Sequence, residues 1–276
     1  MPIYEVVEDW RRLLEDKGKV ISIETDDMLI IGDIHGYPEI VDWAERLWEE
    51  TGARYLVFLG DYVDRGPDGP GVLERVGSLA VSEPGRVVTL RGNHEDLYMN
   101  REYGFYRQAI EAGGSRLIEG ISRLYEALPY AAISQSYFMV HGGIPCRRCT
   151  DKPEEPVRLE EIRGSPEEYG FHLMWNDPSL KVEWFSPSIR GAYLYGPRAW
   201  RGFLDANGLK AIIRGHEVAD AVRVHYEGRV VEGFMIGDRL RLDDYIVVTV
   251  FSSRYHMWDA GAIHVTGENA NVYRYK

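Results

Sequence analysis

Five short stretches gather carboxylate, imidazole and amide side chains: Gly32-Asp33-Ile34-His35-Gly36, Gly60-Asp61-Tyr62-Val63-Asp64-Arg65-Gly66, Gly92-Asn93-His94-Glu95, His141-Gly142-Gly143 and Arg214-Gly215-His216. Asp33, His35 and Asp61 suit one metal ion, and Asp61, Asn93, His141 and His216 suit a second, with the Asp61 carboxylate bridging the two. Mixed oxygen and nitrogen ligation without thiolate favours two divalent ions such as Mn, Fe or Zn over a soft metal. Two ions roughly 3.5 to 4 Å apart lower the pKa of a shared water, supply hydroxide near neutral pH and clamp phosphate oxygens. The chemistry implied is phosphoester hydrolysis by direct attack, with no protein nucleophile.

His94 follows Asn93 in the chain and is expected to face the site as a general acid that protonates the leaving alkoxide. Asp64 would accept the other ring N–H and keep the imidazole protonated. Arg65, beside Asp64, and Arg190 can contact phosphate through two N–H groups, a geometry lysine lacks. Asn93 counts with them among the phosphate-binding residues. Read on its own, Arg190 looks like a solvated surface charge. Gly32, Gly60 and Gly92 each precede a ligand, where the chain must turn off its strand and approach the ions.

Each stretch follows an apolar run of buried-strand length: Met28 to Ile31, Tyr55 to Leu59, Val87 to Leu90, Tyr137 to Val140 and Ala211 to Ile213. The site therefore lies where loops leave the C-terminal ends of strands. A single such motif reads equally well as an ordinary polar turn, but five in order do not. The pattern predicts amphipathic helices over Ile3 to Leu14 and around Ile40 to Leu47, and a helical stretch from Glu95 to Leu128 broken near Gly113-Gly114. It predicts two strands within 129 to 141, a long surface loop from Cys146 to Gly170 with one helical turn, and a helix from Pro197 to Asn207 stopped by Gly208. Short strands fill the rest. The fold class is α/β, a central β-sandwich of mixed sheets flanked by helices.

With 276 residues, 45% hydrophobic and 28% charged, the chain is expected to form a single catalytic domain over 1–276, with 1–26 as an N-terminal helical extension. A net charge of −12 argues against a nucleic-acid partner. No apolar run approaches membrane-spanning length, and charges interrupt the N-terminus, so a cytoplasmic location without membrane contact is expected.

Further segments extend the pattern: Asn100-Arg101-Glu102-Tyr103-Gly104-Phe105-Tyr106, Leu128-Pro129-Tyr130, Trp175-Asn176-Asp177-Pro178, Arg190-Gly191, Phe251-Ser252-Ser253 and Ala260-Gly261-Ala262. With the five motifs they resemble, in order and from about residue 27 onward, the phosphoprotein phosphatase family of metal-dependent serine/threonine phosphatases. The resemblance implies the calcineurin-like metallophosphoesterase fold, a dinuclear centre commonly holding manganese, phosphoprotein substrates, and the ligand set above. It promotes Arg190 to a second phosphate-binding arginine and supports the His94 and Asp64 pair. The chain departs from the family where a Ser-x-Pro-Asn-Tyr segment is usual: here it reads Ser252-Ser253-Arg254-Tyr255-His256, and Tyr255 takes the place of the aromatic over the phosphate. Regulatory partners are not indicated.

Two other functions compete. A symmetrical bis(5'-nucleosyl)-tetraphosphatase shares the scaffold, but such enzymes show Asp after Asn-His, where this chain has Glu95, and lack the Arg190 and Tyr255 elements. An inactive binding module would not need an intact ligand set. Cys146 and Cys149 leave two readings open, reduced thiols in a surface loop or a reversible disulfide favoured by Arg147 and Arg148. A structural zinc there would need two more ligands.

Overall fold

The computed structural model describes residues 2–275. In chain order, α1 (Ile3–Leu14), β1 (Val20–Ser22), β2 (Asp27–Ile31), α2 (Pro38–Thr51), β3 (Tyr55–Phe58), α3 (Gly69–Ser82) and β4 (Val87–Thr89) come first. They are followed by α4 (Leu97–Tyr103), α5 (Phe105–Ala127), β5 (Ala131–Ile133), β6 (Tyr137–Val140), α6 (Leu159–Gly164), α7 (Pro166–Trp175), β7 (Asp177–Pro178), β8 (Phe185–Pro187) and β9 (Tyr193–Tyr195). The rest is α8 (Pro197–Asn207), β10 (Ala211–Arg214), β11 (Val222–Tyr226), β12 (Arg229–Glu232), β13 (Arg239–Arg241), β14 (Ile246–Val250), β15 (Ala260–Thr266) and β16 (Asn269–Tyr275).

Local sequence explains these boundaries. α1 turns Val6, Val7, Trp10 and Leu14 to one side, with Glu5 in its first turn and Arg11 and Arg12 in its last, matching the helix dipole. α2 opens with Pro38 and closes at Gly52, whose φ of 65° puts it in the left-handed region. The Asp68 carboxylate accepts the Gly71 N–H at 2.8 Å to cap α3, a contact of about 1 kcal/mol.

Two mixed sheets face each other. One has the order β1-β5-β6-β10-β14-β11-β12 and the other β13-β16-β15-β2-β3-β4. Their inner faces share a core of Met28, Ile30, Val57, Tyr137, Met139, Ile213, Val248 and Ile263. Strands buried on both faces read as continuous apolar runs, which is why β2, β3 and β10 show no alternation. Helices α1 to α5 pack on the outer face of the second sheet around Trp10, Leu56, Phe58 and Phe105. Helices α6 to α8 cover the first around Phe138, Trp200 and Ile212. The arrangement is the expected sandwich flanked by helices.

The N-terminal 26 residues contain β1 as well as α1, and β1 pairs in parallel with β5. Trp10 is fully buried and donates its indole N–H to Thr89 at 3.1 Å. Truncating it to Ala would cost about 3 to 5 kcal/mol.

The Cys146 to Gly170 segment departs from the expected surface loop. It holds α6 and the start of α7, and Cys146, Val157, Leu159 and Ile162 are buried. Two short helices give too few turns for an apolar period to show. The helical stretch after Glu95 breaks at Gly114, as expected, and also at Gly104, where φ is 103°.

Candidate active site

The strand ends converge. β2, β3 and β4 of one sheet and β6 and β10 of the other deliver Asp33, Asp61, Asn93, His141 and His216 to one edge of the sandwich. The loops are bonded to one another: Ile34 and His35 donate N–H groups to the Asp61 carbonyl at 3.0 and 2.9 Å, and Gly215 donates to the His141 carbonyl at 3.0 Å. His216 donates its backbone N–H to the Asp33 carboxylate at 2.8 Å.

The backbone is held in an uncommon conformation. His35, Asp61, Asp64, Arg65 and His216 all have φ between 50° and 68°. Non-glycine residues adopt that region at a cost, and they cluster at sites where the surroundings enforce it. Glycine serves close approach: a Cβ on Gly92 would lie 2.2 Å from the Asp61 carboxylate. Gly60, at φ 104°, abuts Gly92 in turn. Among the three glycines read as turning points, Gly60 alone has positive φ, and the others are required by packing.

Asp61 Oδ2 lies 3.6 Å from His35 Nε2 and 3.3 Å from His141 Nε2. His35 Nε2 is also 3.8 Å from Asp33 Oδ2. Asn93 Oδ1 lies 2.9 Å from His141 Nε2 and 2.8 Å from His216 Nδ1. These donors are nearly all shut off from solvent. His35 Nδ1 donates to the Val63 carbonyl at 2.9 Å and His141 Nδ1 to the Leu59 carbonyl at 3.0 Å. Those bonds fix the ring proton on Nδ1 and leave the Nε2 lone pair for the site, which is how a ligating histidine is usually oriented. The donor set therefore fits divalent ions.

The local pKa pattern follows from packing. Burial, reinforced by the Asp61 charge, pushes Asp33 up to about 6. Burial drives His35 down to about 3 and His216 well below the usual imidazole value. His141 is the exception, raised to about 9 because Asp61 outweighs its burial.

His94 Nδ1 bonds to Asp64 Oδ2 at 2.7 Å. Asp64 also accepts from Asn100 Nδ2 at 2.9 Å and from the Phe105 N–H at 3.0 Å, so both of its oxygens are held. Burial works against a charged His94, but Asp61 and then Asp64 overcome it and raise the imidazole pKa. His94 lines a cavity of about 370 Å³ together with His35, Asp61, Arg65, Asn93 and Arg190.

Around this cavity, Arg65 is stacked between two rings, 4.5 Å from the centre of Tyr103 and 5.1 Å from that of Tyr255. Tyr255 sits edge-on to His35 at 5.0 Å. Arg190 is half exposed, with Nη1 3.0 Å from His216 Nε2 and 3.5 Å from Asp177. The structure thus brings every site residue read from the sequence to the same edge of the sandwich.

Several residues there were given no role in the site by the sequence. Glu95 is buried and accepts the N–H groups of Asp61 at 2.7 Å, Gly92 at 2.8 Å and Tyr62 at 2.9 Å, tying two ligand loops together. Burial and the nearby Asp61 raise its pKa to about 7. Arg214 is fully buried and bonds to the Gly142 carbonyl at 2.5 Å and to Asp177 at 2.7 Å. Trp175 lines the cavity and packs edge-on to His216 at 5.7 Å. Trp175 and Asp177 lie in a segment already marked by its order in the chain; for Glu95 the signal was its place directly after Asn93-His94.

The calcineurin-like phosphoesterase family matches residues 28–220. A probable serine/threonine-protein phosphatase of Encephalitozoon cuniculi is 30% identical over 83% of the chain, which spans about half (51%) of that relative. Serine/threonine-protein phosphatase PP1-1 of Saccharomyces cerevisiae is 30% identical over 92% of the chain and 77% of its own length. A solved Saccharomyces cerevisiae protein serine/threonine phosphatase with similarity to human phosphatase PP5 superposes with a TM-score of 0.80, covering 99% of this chain and 89% of that one at 23% identity. The chain belongs to the calcineurin-like phosphoesterase family, and its curated relatives include serine/threonine-protein phosphatases.

Proposed function

We propose that this chain is a serine/threonine protein phosphatase that hydrolyses phosphomonoesters at a dinuclear metal centre, with residues 1–276 acting as one catalytic unit. The observation that carries the reading is the His94 and Asp64 pair, joined at 2.7 Å beside a buried cluster of carboxylate, imidazole and amide donors. Family membership implies a dinuclear divalent centre. Asp33, His35 and Asp61 would hold one ion and Asp61, Asn93, His141 and His216 the other, with manganese the first choice and iron or zinc fitting the same donors. Bound divalent ions supply Lewis acidity and make water a better nucleophile.

The chain's own groups supply the rest. Arg65 and Arg190 bind the phosphate, and Asn93 aids them. Arg65 is preset by its two flanking rings, while Arg190 leaves His216 and Asp177 to reach the ligand. Tyr255 closes the cavity beside Arg65. His94, with Nδ1 occupied by Asp64, donates a proton from Nε2 to the departing alkoxide. Phosphoproteins are the substrates, the enzyme acts in the cytoplasm, and the net charge of −12 argues against a nucleic-acid partner. Among the described residues no helix is long and apolar enough to cross a membrane.

The test is one assay panel of a phosphoserine peptide, p-nitrophenyl phosphate and diadenosine tetraphosphate, each with Mn²⁺ and with chelator, alongside metal analysis. Metal-dependent release of phosphate from the peptide is expected. Preferential cleavage of diadenosine tetraphosphate would overturn the reading in favour of the dinucleotide enzyme.

A further inference from the structure

The chain places a disulfide between Cys146 and Cys149, five residues past His141, with a histidine beside both sulfurs. His172 of α7 has Nδ1 3.9 Å from Cys146 Sγ and Nε2 3.9 Å from Cys149 Sγ. The Cys146 backbone N–H donates to His172 Nδ1 at 3.4 Å. That bond makes Nδ1 the acceptor and puts the ring proton on Nε2, facing Cys149. Burial lowers the His172 pKa, which favours the neutral ring. The two sulfurs differ in access: Cys146 is 3% exposed, whereas Cys149 is half-buried. Cys149 also sits at φ 57°, a region that non-glycine residues adopt at a cost.

From this asymmetry we infer that Cys146, Cys149 and His172 form a thiol–disulfide exchange site, entered through Cys149, whose partner is a dithiol reductant. A thiolate of the dithiol attacks Cys149 Sγ, forming a mixed disulfide and breaking the Cys146–Cys149 bond, and Cys146 leaves as a thiolate that takes a proton. The second thiolate of the dithiol then attacks its own sulfur in the mixed disulfide and releases Cys149. The protein pair has gained two electrons and two protons, and the dithiol has become a disulfide. The His172 Nε2–H bonds the departing Cys149 thiolate and favours it over the thiol. In the reverse direction the same bond holds Cys149 as the attacking thiolate on a small-molecule disulfide, and Cys146 closes the ring.

The site is bonded to the cavity. The Gly142 N–H donates to the Leu173 carbonyl of α7 at 2.7 Å, and Asn176, which ends α7, donates its side-chain amide to the Ile144 carbonyl at 2.8 Å. A Cβ on Gly142 would sit 2.5 Å from the Met174 backbone. The segment from His141 to Cys146 therefore lies against the last turn of α7, whose Trp175 packs on His216. Opening the disulfide frees the far end of that segment and loosens Trp175 and His216 together.

The test uses the full chain loaded with metal. It is equilibrated with mixtures of reduced and oxidised dithiothreitol, quenched with a maleimide and weighed. Both thiols are expected to appear together without unfolding. With glutathione disulfide in place of dithiothreitol, Cys146→Ala should keep a glutathione mixed disulfide on Cys149, because no second protein thiol is left to displace it, and Cys149→Ala should form none on Cys146. Reduced His172→Ala should react with a small disulfide about tenfold more slowly at neutral pH, with His172→Gln as a second variant of similar size. The kcat/KM for p-nitrophenyl phosphate should differ between the oxidised and reduced wild type by about threefold or more, and the Cys146→Ser/Cys149→Ser double variant should lose that difference. A disulfide that opens only after unfolding overturns the exchange site. So does a reduced protein that binds one zinc per chain and so shields both thiols, or an unchanged rate in both His172 variants. Equal kcat/KM in the two redox states overturns the link to Trp175.

Discussion

Asp64 and His94 meet at 2.7 Å, and the aspartate reaches that position from a backbone φ of 68°. The pair is oriented by covalent turns and by two further bonds to Asp64, from Asn100 and the Phe105 N–H, so it stands ready before any substrate arrives.

Replacing His94 by Asn should therefore lower kcat with a phosphoserine peptide by about 10² to 10⁴, because the alkoxide needs a proton. The loss with p-nitrophenyl phosphate, whose phenolate leaves unaided, should be much smaller. Steady-state kinetics on the two substrates checks this, and equal losses would make His94 a structural residue.

Asp61 Oδ2 faces the rings of both His35 and His141, whereas Asp33 Oδ2 faces the His35 ring and its Oδ1 is taken by the His216 backbone N–H. Asp61→Asn should cost more activity and more bound metal than Asp33→Asn. Metal analysis with kinetics decides, and full turnover after exhaustive chelation would remove the metal centre altogether.

Arg190→Ala should raise the inhibition constant of inorganic phosphate by about tenfold or more, the loss of a charge-assisted hydrogen bond. An unchanged constant would return Arg190 to a surface role at His216 and Asp177.

Glu95→Gln should destabilise the chain by roughly 2 to 4 kcal/mol, since an amide nitrogen would face an N–H group where a carboxylate oxygen now accepts it. Denaturant unfolding of the metal-free variant measures this. A loss under about 0.5 kcal/mol, the scatter of neutral surface changes, would mean the loops hold without it.

His225 in β11 is buried, has an unpartnered Nδ1, and is pushed down to about 4 by burial, with Arg214 and Arg223 adding to the effect. Its folded value lies below the unfolded one of 6.5, so the unfolded chain binds the extra proton between them. The resulting stability is complete above pH 6.5 and is lost as pH falls toward about 4. Tm measured at pH 7 and pH 5 should fall less in His225→Leu than in the wild type, and an equal fall would assign acid lability elsewhere.

Much of this was legible in the chain. α1 and α8 have the boundaries their apolar spacing and terminal Pro and Gly predict, and the five ligand loops stand at the strand ends where apolar runs stop. Glu95, Arg214 and His172 were not legible as partners, because their bonds join residues far apart in sequence: Glu95 to Asp61, Arg214 to Gly142, His172 to Cys146. The buried side of the Cys146 to Gly170 segment was hidden for a related reason. Its Pro, Glu and Arg content describes its outer face, while Val157 and Ile162 are too sparse to show a period.

The ligand residues come from both sheets, Asp33, Asp61 and Asn93 from one and His141 and His216 from the other. An ion held across that edge is a cross-brace between two layers that otherwise meet through apolar side chains and a few hydrogen bonds at the loops, such as His216 N–H to Asp33 and His141 Nδ1 to Leu59. Anything that binds the folded chain and not the unfolded one adds to its stability. Metal supply would then govern how long each molecule survives as well as how fast it turns over, and a starved cell would hold fewer copies of the protein, not merely slower ones.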